Sequence, residues 1–310
     1  MDYSEKIKEA ARLLGFLDCG IIPAETLADD ATRLNRWLSA GYQAGMTWME
    51  RYPDKRTNPA LLVENARSVI VVLLNYQTPE RQTDPEAPVV SKYAYGRDYH
   101  RVAKKKLLKL LETIHDITGS ATGRAFIDSA PVLERALGRR AGLGWIGKNS
   151  MLLSRKHGSF FFIGTLIVDI GLNYDRPVRE YCGSCTRCID ACPTGAIVAN
   201  KVVDANRCIS YWTIENKGNT IPEEFRDKFM NRVFGCDICQ DACPWNHNTP
   251  PHQEPALAGN DTLLSMSKDQ WYQMSEKKYD ELFQGSSLKR ACYTGLKRNL
   301  QFLKNVSRES

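Results

Sequence analysis

Eight of the ten cysteines in this 310-residue chain lie between Cys182 and Cys243, and their spacing constrains the fold more than any other feature. The run opens with Cys182-Gly-Ser-Cys185-Thr-Arg-Cys188-Ile-Asp-Ala-Cys192-Pro193. Further on, Cys236-Asp-Ile-Cys239-Gln-Asp-Ala-Cys243-Pro244 repeats its last three cysteines and the proline. A tight loop of this spacing wraps three thiolates around three irons of one cube, and the fourth cysteine, followed by a helix-stopping proline, points to a neighbouring cube. One [4Fe-4S] cluster is therefore expected on Cys182, Cys185, Cys188 and Cys243. A second would use Cys192, Cys236, Cys239 and one more thiolate. A plain tandem repeat would put that last ligand at position 233, which is Val233, so Cys208 is the candidate. Paired zinc sites are the competing reading, but zinc ribbons use two C-x2-C knuckles well separated in sequence.

A hydrophobic content of 43% lets a chain of this length bury a full-sized core and leaves residues for a smaller module. The N-terminus reads as an amphipathic helix without the apolar centre and cleavage site of a signal peptide, and no apolar run reaches ~18 residues. A soluble, cytoplasmic protein without membrane contact is expected, in keeping with cysteines used as metal ligands in a reducing compartment. Cys19 and Cys292 stand apart and are expected to be small buried hydrophobes. The net charge of +6 is a weak pointer to nucleic acid. Local clusters say more: Lys104-Lys105-Lys106, Lys289-Arg290, Lys297-Arg298, then Lys304 and Arg308.

In chain order, residues 4–15 carry Ile7, Ala10, Ala11 and Leu14 on one helical face, with Gly15 as the stop. A second helix is predicted over Thr32 to Ala44, and Arg51 to Pro59 reads as a polar, proline-bounded loop. Ser68 to Leu74 is apolar and β-branched, which predicts a strand buried on both faces. Leu107, Leu110, Leu111 and Ile114 form the stripe of a helix laid on that sheet. Ala125-Phe126-Ile127 is a short strand ending at Asp128, and a helix is predicted over Val132 to Arg140 with Pro131 as its first residue. Either Asp128 or Ser129 helps cap that helix, or Asp128 aims its carboxyl into a cleft at the strand end. Gly142 to Asn149 matches dinucleotide and phosphate-loop fingerprints only superficially, because a helix precedes it and Asn149 replaces the metal-binding hydroxyl. It is expected to be a flexible glycine-rich turn whose amides can approach a large polar cofactor. Ser159 to Ile170 is another buried strand.

Two adjacent cubes make a one-electron wire, and the domain ahead of them should hold its terminus. Asp98-Tyr-His100-Arg-Val-Ala103 misses by its last residue the D-x-H-x-x-G motif by which another corrinoid-binding class ligates cobalt, so it is read as non-ligating. Tyr99-His100 before a Lys-rich helix, Asp128-Ser-Ala-Pro-Val-Leu-Glu-Arg, Arg140 to Asn149, the Cys182 to Pro244 module and Leu296-Lys-Arg-Asn299 together resemble the epoxyqueuosine reductases, in their short form without a C-terminal HEAT-like extension.

That resemblance implies an α+β fold. A nitroreductase-like cobalamin-binding catalytic domain (1–176) would be followed by a ferredoxin-type two-cluster domain (177–250) and a helical C-terminal segment (251–310) that faces tRNA. It implies base-off cobalamin beside two [4Fe-4S] clusters, and reduction of epoxyqueuosine to queuosine at the wobble position of tRNA anticodons. The family's proton donor falls on Asp128. Its cobalamin contacts fall on Arg56, Tyr99, Asp128, Lys148, Asn149, Ser150, Met151 and Ser210. Donation at neutral pH would require Asp128 to be raised in pKa by burial. Substrate would be a tRNA anticodon stem-loop, the reductant an external low-potential donor, and the protein a monomer; Lys289, Arg290, Lys297 and Arg298 would hold tRNA phosphates. The competing readings are a reductive dehalogenase, which generally carries a twin-arginine export signal, and a ferredoxin-like electron-transfer subunit without cobalamin.

Overall fold

A computed structural model describes residues 2–218 and 220–304; Arg308 lies outside them. The strands are β1 (Asp18–Pro23), β2 (Ser68–Asn75), β3 (Val89–Val90), β4 (Gly123–Phe126), β5 (Trp145–Ile146), β6 (Leu152–Leu153), β7 (Phe161–Val168), β8 (Ile197–Ala199), β9 (Val202–Val203) and β10 (Arg232–Phe234). Helices α1 (Tyr3–Leu13), α2 (Ala28–Ser39), α3 (Pro53–Thr57), α4 (Tyr99–Thr118) and α5 (Glu134–Arg140) precede the cysteine region. Two one-turn helices, α6 (Arg187–Asp190) and α7 (Ile238–Asp241), lie within it. Beyond it come α8 (Asp261–Ser265), α9 (Lys268–Tyr272), α10 (Glu276–Leu282) and α11 (Cys292–Lys304).

The main sheet is antiparallel, in the order β1-β2-β7-β4. Every residue of β2 is buried because both of its faces are covered. Ile70, Val72 and Leu74 point to the side taken by α1 and α4, where Ile7, Leu107, Leu110 and Ile114 meet them. Val69, Val71 and Leu73 point to the other side, against Leu137 of α5 and Leu152. Burying each such side chain contributes about 1.5–3 kcal/mol, so β2 is the strand on which both layers depend. Its two-residue alternation explains why a continuous apolar run, rather than an amphipathic one, marks it in the sequence.

A second core joins distant parts of the chain. Ala87, Val90, Ala94 and Tyr95 pack with Phe225, Val233 and Phe234 and with Trp271, Tyr279, Leu296 and Leu300. β3 pairs in parallel with β10, and the Lys92 N–H donates to Asp237 Oδ2 at 2.9 Å across 145 residues of sequence.

Several expectations are corrected. α2 runs over Ala28–Ser39 rather than 32–44, because Asp29 and Asp30 suit its positive N-terminal end and the chain turns at Gly41. The Arg51 to Pro59 stretch contains α3, entered through a left-handed Tyr52, rather than a plain loop. α5 starts at Glu134 and leaves Pro131 outside it. The Gly142 to Asn149 segment is not a loose turn: β5 and β6 form a hairpin in which a Cβ on Gly144 would meet the Leu153 carbonyl at 2.1 Å. Cys19 is buried and its thiol is pushed up to about 12 by that burial, but Cys292 is exposed.

Candidate active site and cluster ligands

Asp128 stands two residues beyond β4 in a left-handed conformation, φ +50°, which aspartate tolerates better than most residues. It does not cap α5. Instead the Glu134 carboxylate reaches back from the helix start and accepts the Asp128 N–H at 2.6 Å, which fixes the turn and explains the late start of α5. The Asp128 carboxylate accepts the Tyr99 hydroxyl and lies 3.5 Å from His100 Nε2. Tyr99 and His100 open α4, whose N-cap Asp98 accepts both the His100 N–H at 3.0 Å and its Nδ1 at 2.7 Å. Tyr99 is held flat on Phe162, with ring centres 4.0 Å apart. A cleft of about 350 Å³ opens here, lined by His100, Lys104, Phe126, Ile127 and Ser129.

The protonation pattern departs from the expected one. Burial pushes the Asp128 carboxyl up, but hydrogen bonds from His100 and Tyr99 and the charges of His100 and Arg290 outweigh it, so its pKa is lowered. Burial likewise opposes charge on His100, yet the bonds to Asp128 and Asp98 win and raise it to about 9. The pair is therefore carboxylate and imidazolium at neutral pH, and the mobile proton rests on His100. Glu134, desolvated and beside the Asp128 charge, is raised to about 8 and holds a second proton. With half of the Asp128 side chain exposed, anything that covers it moves the balance back toward the protonated acid.

The residues carried over as cobalamin contacts fall into two groups. Tyr99 and Asp128 form one with the β5–β6 tip: Arg135 donates to the Ser150 carbonyl, and Asn149 Nδ2 donates to the Cys239 carbonyl at 3.4 Å. Lys148 is buried there, without a side-chain hydrogen bond or ion pair among the described residues, and Ser150 is left-handed at φ +63° ahead of the half-buried Met151. In the other group, Arg56 is 6% exposed and donates to the Trp48 carbonyl at 3.0 Å, while its Nε has no hydrogen-bond partner among the described residues. Ser210 lies two residues beyond Cys208, and the next residue, Tyr211, accepts the Gly45 N–H on its hydroxyl oxygen at 3.0 Å. A buried ammonium without a counter-ion and a buried guanidinium N–H without an acceptor suit a ligand rich in amide and phosphate oxygens, as cobalamin is.

The cysteines gather in two sets. α6 and α7 pack side by side. The Cys243 thiol is raised by burial and by neighbouring Cys188, Cys182 and Cys185, while Cys239 is raised by burial and by Cys208, Cys236 and Cys192. Such mutual repulsion among thiolates is relieved when metal supplies the positive charge. Among the described residues no three His, Cys, Asp or Glu side chains close around a single metal ion; in a cube each thiolate takes its own iron. Trp145 Nε1 donates to Cys182 Sγ at 3.3 Å.

Sequence reasoning missed the partners of Asp128. His100 figures there in a near-miss cobalt motif and, with Glu134, in a resemblance, but neither is assigned to Asp128; the one available signal was the Asp98-x-His100 spacing. Of the basic residues assigned to tRNA, Arg298 is spent on the Trp212, Asn216 and Gly218 carbonyls at 2.7–2.9 Å. Arg290 pairs with Glu215 at 2.7 Å and Lys289 with Asp280.

Comparison with known proteins agrees with this arrangement. Residues 56–129 match the family model described as epoxyqueuosine reductase QueG, and residues 181–246 match one described as a 4Fe-4S double cluster binding domain. The chain is 52% identical to an epoxyqueuosine reductase of Cellulophaga algicola, covering 97% of this chain and 98% of that one. It is 42% identical to one of Vibrio cholerae, over 97% of this chain and 83% of that one. A solved epoxyqueuosine reductase superposes with a TM-score of 0.90 at 30% identity, over 97% of this chain and 80% of that one. Another, solved with an epoxyqueuosine-modified tRNA-Tyr stem loop, gives 0.86 at 31%, over 97% and 80%. A catabolic reductive dehalogenase, at 14% identity and a TM-score of 0.51, shares the fold alone.

Proposed function

The chain belongs to the epoxyqueuosine reductase family and reduces epoxyqueuosine to queuosine in tRNA, and we propose that Asp128, with His100 behind it, is the acid that takes the epoxide oxygen off. The observation that carries this is the Asp128 carboxylate fixed between the Tyr99 hydroxyl and His100 Nε2, next to the cleft lined by His100, Ile127 and Ser129. The chain holds two [4Fe-4S] clusters, on Cys182, Cys185, Cys188 and Cys243 and on Cys192, Cys208, Cys236 and Cys239.

When bound, cobalamin would supply the reducing power for the deoxygenation. Lys148, Asn149, Ser150, Met151, Arg56, Tyr99 and Ser210 would hold it. The residues then have three tasks. Glu134 keeps the Asp128 turn in place through the backbone N–H, and Tyr99 orients the carboxylate. Substrate covering the half-exposed Asp128 side chain raises its proton affinity, so that the proton resting on His100 moves to Asp128 and on to the departing oxygen. Because the wobble base is single-stranded in an anticodon loop, it can be splayed toward this cleft.

The division of labour follows the stretches 1–176, 177–250 and 251–310, for catalysis, electron transfer and tRNA contact. It is not a division of cores, since residues 87–95 and 263–303 share one. No helix among the described residues is long and apolar enough to cross a membrane. The reading includes a monomer in the cytoplasm, and the tRNA substrate supports the compartment.

The test is metal content with activity. Anaerobically reconstituted protein desalted after incubation with hydroxocobalamin should hold about eight irons and about one cobalt per chain. Asp128→Asn should keep both metals while queuosine formation falls by roughly 10²–10⁴. Eight irons without cobalt would sink the cobalamin assignment, and an active Asn variant would remove Asp128 from the acid's role.

A further inference from the structure

The reducing electrons come from outside the chain, and one face of the molecule carries the charge to receive their source. Arg155 and Arg179 stand over the same Tyr181 ring, 5.5 and 4.8 Å from its centre. Both are exposed, and neither enters an ion pair among the described residues. Tyr181 packs against Trp145, at 5.1 Å between ring centres, and Trp145 donates to Cys182 Sγ. The two unpaired guanidiniums thus stand two aromatic rings away from Cys182, a ligand of the first cysteine set. Beside them Cys185 is exposed, Gly183 has open space above it, and Arg187 adds a third unpaired cation. Of the acids in 179–190, Glu180 pairs with Lys201, and Asp190, which accepts from the Thr186 hydroxyl at 2.7 Å, leaves the three guanidiniums in excess.

We propose that Arg155, Arg179 and Arg187, around the exposed Cys182 to Cys188 loop, form the docking surface for an acidic one-electron carrier protein that reduces the enzyme. This rests on the two-cluster reading above. In each encounter the carrier loses one electron and the cluster of that loop gains it, with no atom transferred. Two encounters supply the two electrons that, with two protons, turn the epoxide into an alkene and water. Complementary charge raises the encounter rate rather than the final affinity, which suits a partner that must leave after each electron. The patch surrounds the cluster loop, where an electron has to enter, and the anion assigned to it is therefore the reductant.

The experiment uses the full-length, iron-reconstituted protein. It is mixed anaerobically with reduced flavodoxin, a small acidic flavin carrier, and cluster bleaching is followed by stopped flow. Reduced methyl viologen, a small cationic reductant, is run in parallel. The Arg155→Glu/Arg179→Glu double variant should be reduced by flavodoxin at least about tenfold more slowly at low ionic strength, with the gap closing as salt is added. Its reduction by viologen should not slow, and Arg155→Lys/Arg179→Lys should stay near wild type. A double reversal that leaves the flavodoxin rate unchanged overturns the proposal. So does one that weakens binding of an epoxyqueuosine-containing stem loop while sparing flavodoxin reduction, since the patch would then serve tRNA. A wild-type protein that viologen cannot bleach removes the two-cluster reading itself, which is a separate result.

Discussion

Cys182 is followed by Gly183 and Cys236 is preceded by Gly235, both at positive φ, and there the likeness between the two cysteine loops ends. Among the described residues no atom lies within 4 Å of where a Cβ on Gly183 would stand, whereas a Cβ on Gly235 would meet the Ser91 side chain at 2.3 Å. Cys185 is exposed; in the other loop Val233 and Phe234 are fully buried and Gln240 bonds to the Ser159 carbonyl at 3.1 Å. The second loop also leads inward. Phe234 lies 6.1 Å from Tyr93, and Tyr93 lies 6.0 Å from Tyr99, the partner of Asp128. The same ligand spacing is thus set once at the surface and once toward Tyr99 and the Asp128 it holds, which gives the pair of clusters an outside and an inside.

The sharpest way to break that comparison is to remove one thiol from each loop. Cys239→Ser should abolish queuosine formation and cut iron to about half, because the inner cluster loses a ligand among buried neighbours. Cys185→Ser, at the exposed corner, should keep part of its iron and part of its activity; equal losses in iron and activity would erase the distinction.

The proton side of the inner region comes next in size. His100 faces Asp98, Asp128 and Tyr99, and its raised pKa means it is charged below about 9 and neutral above it. Its stabilising contribution is complete below its ordinary value of 6.5 and is lost as pH rises through 9. The lowered Asp128 acts oppositely, losing its contribution only as pH falls through the carboxylate range. Queuosine formation should therefore decline on the alkaline side near pH 9. His100→Gln should remove that limb and lower the neutral rate by about 10². A His100→Gln profile with an unchanged alkaline limb would assign the proton to another group.

Smallest is the effect on stability. Gly235→Ala adds both backbone strain and a clash with buried Ser91, and should cost about 2–4 kcal/mol. Gly183→Ala adds strain alone, about 1 kcal/mol. Urea unfolding of the two variants reads the difference, and equal costs would mean that the loops are equally packed.

The legible parts of this molecule were those encoded locally. Cysteine spacing is a local matter, and so are the apolar run of β2 and the stripe of α4. What stayed hidden depends on residues brought together by folding. The pKa of Asp128 is set by His100, which lies on another element, and burial alone predicted the wrong direction. The start of α5 was misplaced because Glu134 is held by a backbone N–H six residues earlier. Arg298 read as a phosphate contact because its charge is visible in sequence. The carbonyls it satisfies around the irregular turn Tyr211–Glu215 are not.

The bond between Lys92 and Asp237 has a consequence for how the chain is made. At a synthesis rate of about 5–20 residues per second, the 145 residues between them take roughly 7–30 s to appear. Throughout that interval Val90, Ala94 and Tyr95 have no finished surface to bury against, because their partners on β10 and the C-terminal helices have not left the ribosome. The first half of the nascent chain therefore waits, partly uncovered, for the last, and conditions that slow translation late in the message should cost yield before they cost activity.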